Sequence, residues 1–80
     1  MLSKLNANNK IVGAKQVKRV LNSHDVEAVF IAKDADNKVT DEIARICNEK
    51  QIQVIFVENM RQLGDACGID VNAATAALLK

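Results

Sequence analysis

The chain has 80 residues and a formal net charge of +1, with 49% hydrophobic and 26% charged residues. This length predicts a single domain, 1–80, that buries about 60% of its extended-chain surface, too little for a large enclosed substrate cavity. The composition excludes a disordered chain, and no apolar run is long enough for a membrane span or a signal peptide. We therefore expect a cytoplasmic protein.

The first third of the chain predicts a short strand, a helix and a buried strand. Lys10-Ile11-Val12 is a candidate edge strand, and the apolar positions from Ala14 to Asn22 follow helical spacing. Gly13 precedes this helix, and because glycine has no capping side chain we expect the first N–H groups to be uncovered. The apolar run Val26–Ala32 is typical of a strand covered on both faces.

The middle of the chain predicts a second helix and a second buried strand. Thr40 is placed to cap a helix from Asp41 to about Lys50, and the predicted strand Gln53–Val57 is apolar after its first residue. Alternating strands and helices favour a parallel sheet with helices on both faces. The predicted fold class is α/β, a three-layer α/β/α sandwich with a small mixed sheet.

The last third combines a capped helix with an ambiguous tail. Asn59, followed three residues later by Gln62, has the pattern of a capping box for a helix from Met60 to Cys67. The alanines of the tail, Ala73–Leu79, favour a helix by propensity, whereas alternation is too weak to decide between helix and strand.

An unusual stretch links this helix to the tail. Gly64 and Gly68 are four residues apart on one helical face, and Gly68 is placed to end the helix in a left-handed turn. Ile69-Asp70-Val71 then puts two branched apolar residues where a loop is normally polar. These side chains either cover the core or contact a partner.

Neither cysteines nor acidic residues indicate an enzyme. Cys47 and Cys67 lie in apolar helical patterns with no C-x-x-C motif, and His24 is the only histidine, so reduced core thiols are expected and a zinc site lacks ligands. Asp34 and Asp36 follow a strand, as metal-binding acids of phosphotransferases do, but the chain is too short for the other elements of such a site. We expect no catalytic residues, metal or cofactor.

Basic residues concentrate at the start of the chain, although the net charge is nearly zero. No acid precedes Asp25, and the first twenty residues carry five basic side chains: Lys4, Lys10, Lys15, Lys18 and Arg19. One end of the molecule is therefore expected to be electropositive. The only aromatic residues, Phe30 and Phe56, lie in apolar strands, so an aromatic base-stacking platform is not expected.

Three segments, in this order and spacing, carry a resemblance to a known family: Gly13-Ala14-Lys15-Gln16 with Arg19, Ile31–Asp36, and Leu63-Gly64 through Gly68–Val71 with the alanine-rich tail. They resemble the kink-turn-binding ribosomal protein family of the L-seven-Ae type, in particular its small bacterial members. The resemblance covers almost the whole chain. It implies an α/β/α sandwich with a strand from about Ala73, and binding to a sharply bent RNA built on tandem sheared G·A pairs.

The resemblance implies that the glycine-led helix start enters the RNA at the kink. Lys15 and Gln16 would then face the sheared guanines, with Arg19 close to the RNA backbone. Lysine and glutamine can both donate hydrogen bonds to guanine O6 and N7, and helix N-terminal amides suit phosphate oxygens. Archaeal and eukaryotic members usually carry Asn-Glu at these two positions, so binding here is expected to depend more on charge.

The resemblance also places the loop from Gly68 to Ala73 against an extruded nucleotide, with apolar contacts from Ile69 and Val71 and with the backbone amides around Asn72 and Ala73 as donors to bases or phosphates. Lys33 and Arg61 would add phosphate contacts. The complete set of expected RNA-binding residues is Gly13, Ala14, Lys15, Gln16, Arg19, Lys33, Arg61, Ile69, Asp70, Val71, Asn72 and Ala73.

The expected partner is therefore a structured kink-turn RNA, with ribosomal RNA a candidate, bound by a monomer that does not contact membranes. Two alternatives stay open. The apolar residues Ile69 and Val71 also suit a protein-interaction module without an RNA role, or simple core cover. A divalent-metal or phosphoacceptor site at Asp34 and Asp36 is the weaker alternative.

Overall fold

The computed structural model describes residues 9–23 and 26–80, and this part of the chain forms four strands and three helices. Lys4 and His24, discussed above, lie outside the described residues. The elements in chain order are β1 (Lys10–Val12), α1 (Ala14–Ser23), β2 (Val26–Ala32), α2 (Asn37–Lys50), β3 (Gln53–Val57), α3 (Met60–Cys67) and β4 (Thr75–Leu79).

The strands form one mixed sheet in the order β1-β4-β2-β3. β2 and β3 are parallel and are joined by α2, whereas β4 is antiparallel to both of its neighbours, β1 and β2. Residues of α1 and α2 pack on one face of the sheet around Ile43 and Val29, and those of α3 pack on the other around Leu63 and Phe30. The predicted α/β/α sandwich is confirmed.

The alanine-rich tail is a strand, β4, in the interior of the sheet. Ala76 faces the α3 side and Ala77 faces the α1 and α2 side, and both are fully buried. A strand covered on both faces shows no polar alternation, which explains the ambiguous sequence pattern. Thr75 is also buried, and its hydroxyl donates to the carbonyl of Phe30 at 2.7 Å, which ties the start of β4 to β2.

β3 differs from the sequence-based expectation because it is an edge strand. β4 pairs with β1 and β2, on the side of β2 away from β3. β3 therefore has β2 as its single neighbour among the described strands. Phe56 is 58% exposed rather than buried, because on its face of β3 Val54 packs against the cluster under α1 and α2 and Phe56 does not, whereas Phe30 is completely buried. The prediction that both phenylalanines are internal was wrong for Phe56.

The start of α2 also differs from the prediction. Asp36, not Thr40, is the N-cap, and its carboxylate accepts the N–H of Lys38 at 2.9 Å. Thr40 lies within the helix, where its buried side chain reaches the Asp36 carbonyl at 3.4 Å. Asp36 is favoured because a helix beginning at Asn37 gains an additional turn against the sheet.

The cysteines are free and buried on opposite faces of the sheet. Cys47 lies on the inner side of α2 and Cys67 on the inner side of α3. Burial raises the pKa of both thiols. For Cys67 the positive charge of Lys10 partly opposes that increase. The expectation of reduced core thiols agrees with these positions.

The C-terminus of α2 offers a direct test of backbone strain. Gln51 has a φ of 59°, and the turn is closed by the N–H of Ile52 donating to the Cys47 carbonyl at 2.8 Å. A side chain in this left-handed conformation costs about 1–2 kcal/mol, part of which glycine would recover. Gln51→Gly is therefore expected to raise the free energy of unfolding by about 0.5–1 kcal/mol, measured by urea denaturation. A lower stability would contradict the assigned strain.

Candidate nucleic-acid interface

Backbone hydrogen bonds bring the three predicted contact segments to one end of the sheet. The N–H of Gly13 donates to the Thr75 carbonyl at 3.1 Å, and that of Ala32 to the Ala74 carbonyl at 2.9 Å. The N–H of Lys33 donates to the Val57 carbonyl at 2.9 Å. We call this end of the sheet the site edge; it comprises the start of α1, the α3–β4 loop 68–74, the β2–α2 loop 33–36, and Glu58.

The start of α1 presents uncovered backbone donors at the site edge. The first helical hydrogen bond is donated by Val17 to the Gly13 carbonyl at 2.9 Å, so the N–H groups of residues 14–16 have no acceptor within the helix. Asp36 and Asn59 cap α2 and α3 with side-chain oxygens, which Gly13 does not possess. The first turn of α1 contains no acid, and Lys15 and Gln16 are exposed there.

Gly13 is required by both its conformation and its surroundings. Its φ of +106° is one that residues with a side chain rarely adopt. A Cβ at this position would lie 3.0 Å from Oε1 of Gln16. The absence of a side chain therefore leaves space for the Gln16 carboxamide to lie over the helix start.

The basic residues of α1 have different environments. Lys18 Nζ lies 2.7 Å from Glu42 Oε2 on α2, and this hydrogen bond together with the lysine charge lowers the pKa of Glu42. Lys18 therefore links the two helices. Lys15 and Arg19 are exposed on the surface of α1. The positive face predicted from sequence is thus partly neutralised by α2.

The α3–β4 loop begins with the predicted glycine turn. Gly68 has a φ of +75°, its N–H donates to the Asp65 carbonyl at 3.0 Å, and the N–H of Ile69 donates to the Gly64 carbonyl at 3.1 Å. This pair of bonds is a Schellman motif. Ile69 is half-buried against the core on the α3 side, as the residue after such a turn often is.

Val71 lies at the exposed part of the same loop. The residue is 67% exposed, while its backbone carbonyl oxygen occupies the space that a Cβ on Gly64 would need. Asp70 and Asn72, on either side of Val71, are also exposed. The two apolar residues of the loop therefore have different environments: Ile69 packs mainly against the core, and Val71 faces solvent.

Ala73 does not belong to the exposed surface. Its side chain is buried in the core on the α3 side, and its N–H donates to the Met60 carbonyl at 3.1 Å. The amide that we expected to be available for RNA is therefore used within the protein. Ala73 holds the loop against the start of α3.

Acidic residues of the loop after β2 have structural partners. Asp34 Oδ1 accepts the N–H of Met60 at 2.8 Å. This bond supplements the N-cap of α3, in which Asn59 Oδ1 accepts the N–H of Gln62 at 2.8 Å. Asp36 caps α2 as described. Among residues 9–23 and 26–80, no group of three or more His, Cys, Asp or Glu side chains is placed to hold a metal ion.

The two remaining predicted contacts are exposed cations. Lys33 Nζ lies 3.5 Å from Glu58 Oε2, and Arg61 is exposed in the first turn of α3. Glu58 was not among the residues expected at the site. Its position could have been inferred, because it follows β3 just as Lys33 follows β2, and the ends of neighbouring parallel strands lie together.

Comparisons with known proteins identify the family of the chain and several RNA-binding relatives. The model of the ribosomal protein L7Ae/L30e/S12e/Gadd45 family matches residues 2–80. The RNA-binding protein BH0128 of Halalkalibacterium halodurans is 45% identical over 74 residues, covering 92% of this chain and 90% of its own. The RNA-binding protein TTE2299 of Caldanaerobacter subterraneus is 46% identical over 68 residues, covering 85% and 83%.

Solved structures share the fold. The Giardia lamblia 15.5kD RNA binding protein superposes with a TM-score of 0.88 at 27% identity, covering 99% of this chain and 68% of that one. All three of these relatives are RNA-binding proteins by name. None of the helices in residues 9–23 and 26–80 has the length and apolar character needed to cross a membrane.

Proposed function

Because the chain belongs to the ribosomal protein L7Ae/L30e/S12e/Gadd45 family, we infer that it is an RNA-binding protein, and we propose that its target is a kink-turn RNA held at the site edge. One observation supports this choice of surface above all others. The uncapped start of α1, with exposed Lys15 and Gln16, lies at the same end of the sheet as the exposed part of the α3–β4 loop.

The α1 start supplies the polar part of the proposed recognition. Its uncovered N–H groups and the ammonium of Lys15 attract phosphate oxygens and guanine acceptors. The Gln16 carboxamide can both donate to and accept from base edges. The deep, narrow major groove of a regular RNA duplex excludes these groups, whereas the groove widened at a kink admits them, so the RNA shape contributes to selectivity.

The α3–β4 loop supplies the apolar part. Val71 offers a branched side chain to an extruded nucleotide, and Asp70 and Asn72 flank it. Arg19, Lys33 and Arg61 are proposed as backbone contacts around this centre. A side chain that packs on an unpaired base does not need to read its edge, so this loop recognises that a nucleotide is extruded rather than its identity.

We propose that binding shifts the RNA population toward its kinked form, because the two contact regions fit the bent RNA better than the extended one. Both regions are within one chain, which suits a monomer. Cytoplasmic location and ribosomal RNA as the natural target are further parts of the proposal.

Substitution at the α1 start tests the proposed recognition. Lys15→Ala or Gln16→Ala is expected to weaken binding to a kink-turn RNA about tenfold, because each removes a contact to a base edge. Binding to a control RNA, in which C·G pairs replace the G·A pairs, should change much less. Gel-shift titrations at fixed salt measure both affinities.

Lys10→Ala is the matched control, because Lys10 lies on β1, outside the helix start. It should weaken both RNAs by the same small factor and lower the salt dependence. Equal binding of the unaltered protein to the kink-turn and its control would contradict kink-turn recognition.

The exposure of Val71 supports one alternative function, a protein-interaction module that binds its partner through the α3–β4 loop. RNA affinity insensitive to Lys15→Ala and Arg19→Ala, combined with loss of a protein partner in Val71→Ser, would favour that alternative.

A further inference from the structure

The ion pair between Lys33 and Glu58 is fixed at the site edge by the sheet register. The two residues directly follow the neighbouring parallel strands β2 and β3, and the N–H of Lys33 donates to the carbonyl of Val57, next to Glu58. Lys33 Nζ and Glu58 Oε2 are 3.5 Å apart. The backbone therefore places the two residues side by side, within reach of an ion pair.

This ion pair contributes little to the stability of the fold. The side chains are 58% and 71% exposed, and ion pairs this exposed are weakened by solvent and by the entropy of fixing two mobile side chains. The same part of the structure is already held by the Lys33–Val57 backbone bond and by Asp34 accepting the N–H of Met60. The pair therefore has its main effect on the local charge.

The position of the pair determines which part of a bound RNA lies close to these two charges. Across the site edge the order is Gly13, Thr75, Lys33 and Glu58, because it follows the strand order β1-β4-β2-β3. Lys33 is thus next to the end of the α3–β4 loop, and Glu58 is next to Lys33. An RNA backbone that extends beyond the loop in this direction meets a lysine already neutralised by a carboxylate.

We propose that Glu58 limits RNA affinity by acting as an internal counterion for Lys33. An RNA phosphate must displace the carboxylate before it can bind the ammonium, so the contact from Lys33 adds less affinity and releases fewer counterions than a free lysine would. Sequence-independent attraction is reduced at this position, and discrimination is left to the α1 start and the α3–β4 loop. This inference rests on the proposed function, since it concerns the same surface.

Glu58→Gln in the full chain tests the inference. Removing the carboxylate charge is expected to tighten binding to both the kink-turn RNA and its C·G control by about two- to fivefold, the size of one exposed ion pair. The plot of log affinity against log salt concentration should steepen by about 0.7–0.9, the contribution of one additional phosphate contact. Gel-shift or fluorescence titrations at several salt concentrations measure both quantities.

The chain provides a matched control in Glu49→Gln. Glu49 pairs with Arg45 at 3.4 Å, with side chains 62% and 64% exposed, so the lost charge is the same and the exposure of the pair is similar. Glu49 lies near the C-terminal end of α2, however, whereas the site edge contains the N-terminal end. Its substitution should leave both affinities and the salt dependence unchanged. A gain equal to that of Glu58→Gln would overturn the inference in favour of a general charge effect.

A double substitution tests whether Glu58 acts through Lys33. In a Lys33→Gln background, adding Glu58→Gln should give no further gain in affinity, and a full gain would overturn the counterion role in favour of direct repulsion of phosphate. Unaltered protein that binds neither RNA overturns the proposed function and this inference with it. RNA binding with no change in Glu58→Gln overturns the inference alone.

Discussion

Replacing Gly64 by alanine is expected to lower the free energy of unfolding by about 2–3 kcal/mol, because the new methyl group would overlap backbone atoms. It would collide with the carbonyl oxygen of Val71 and lie 3.2 Å from the Val71 carbonyl carbon and 3.4 Å from Cα of Asn72. No flexible side chain can move aside, so α3 and the loop must separate. The improved helix propensity of alanine, about 1 kcal/mol, offsets only part of this cost.

In a domain of this size such a loss should lower the melting temperature by about 10–20 °C, which circular dichroism would measure. RNA binding should weaken as well, because Val71 and Asn72 are displaced with the loop.

Gly68→Ala is the control that separates crowding from backbone strain. Gly68 has a φ of +75°, but a Cβ there would meet nothing within 4 Å. Its substitution should cost only the left-handed conformation, about 1–2 kcal/mol. If Gly64→Ala proved no less stable than Gly68→Ala, the close approach of the loop to α3 would not be the reason for a glycine at position 64.

The two glycines show which features could be predicted from the sequence. The turn at Gly68 is local, since a glycine after a helical pattern predicts a left-handed cap. The role of Gly64 depends on a loop that returns to α3 seven residues later, and no local pattern contains that contact. Elements with strong periodicity, such as α1 and α3, were predicted to within a residue.

Features that depend on strand order could not be predicted from local patterns. Phe56 was expected to be buried because most of β3 is apolar, yet it is 58% exposed. The edge position of β3 follows from the pairing of β4 with β1 and β2, which no local pattern shows. The start of α2 was predicted wrongly for a different reason. Asp36 and Thr40 are both good capping residues, and the structure has the longer helix that Asp36 caps.

The candidate site was predictable in its segments but not in its details. Charge placement predicted an electropositive start of the chain and glycine placement a turn before the α3–β4 loop, whereas the family resemblance alone assigned these segments to RNA contact. The register of the sheet brings them to one end. The burial of Ala73 and the pairing of Lys18 with Glu42 arise from contacts with α3 and α2 that the sequence alone does not specify.

Gly13→Ala is expected to have the largest effect on RNA binding, a loss of about 30-fold for a kink-turn RNA, or about 2 kcal/mol. The φ of +106° is unfavourable for alanine, so the chain before α1 must rotate and the uncovered N–H groups move with it. The new Cβ would also lie 3.0 Å from Gln16 Oε1 and displace the carboxamide. Titrations well below the melting temperature, with circular dichroism to verify folding, separate binding from stability.

A double-mutant cycle with Gln16→Ala tests the second of these causes. If Gly13 serves partly to leave space for the Gln16 carboxamide, then Gly13→Ala should cost much less affinity when residue 16 is already alanine, because there is no carboxamide to displace. The remaining loss would then measure the displaced helix start alone. Strictly additive losses would show that Gly13 acts only through the backbone, and that the space over the helix start has no part in recognition.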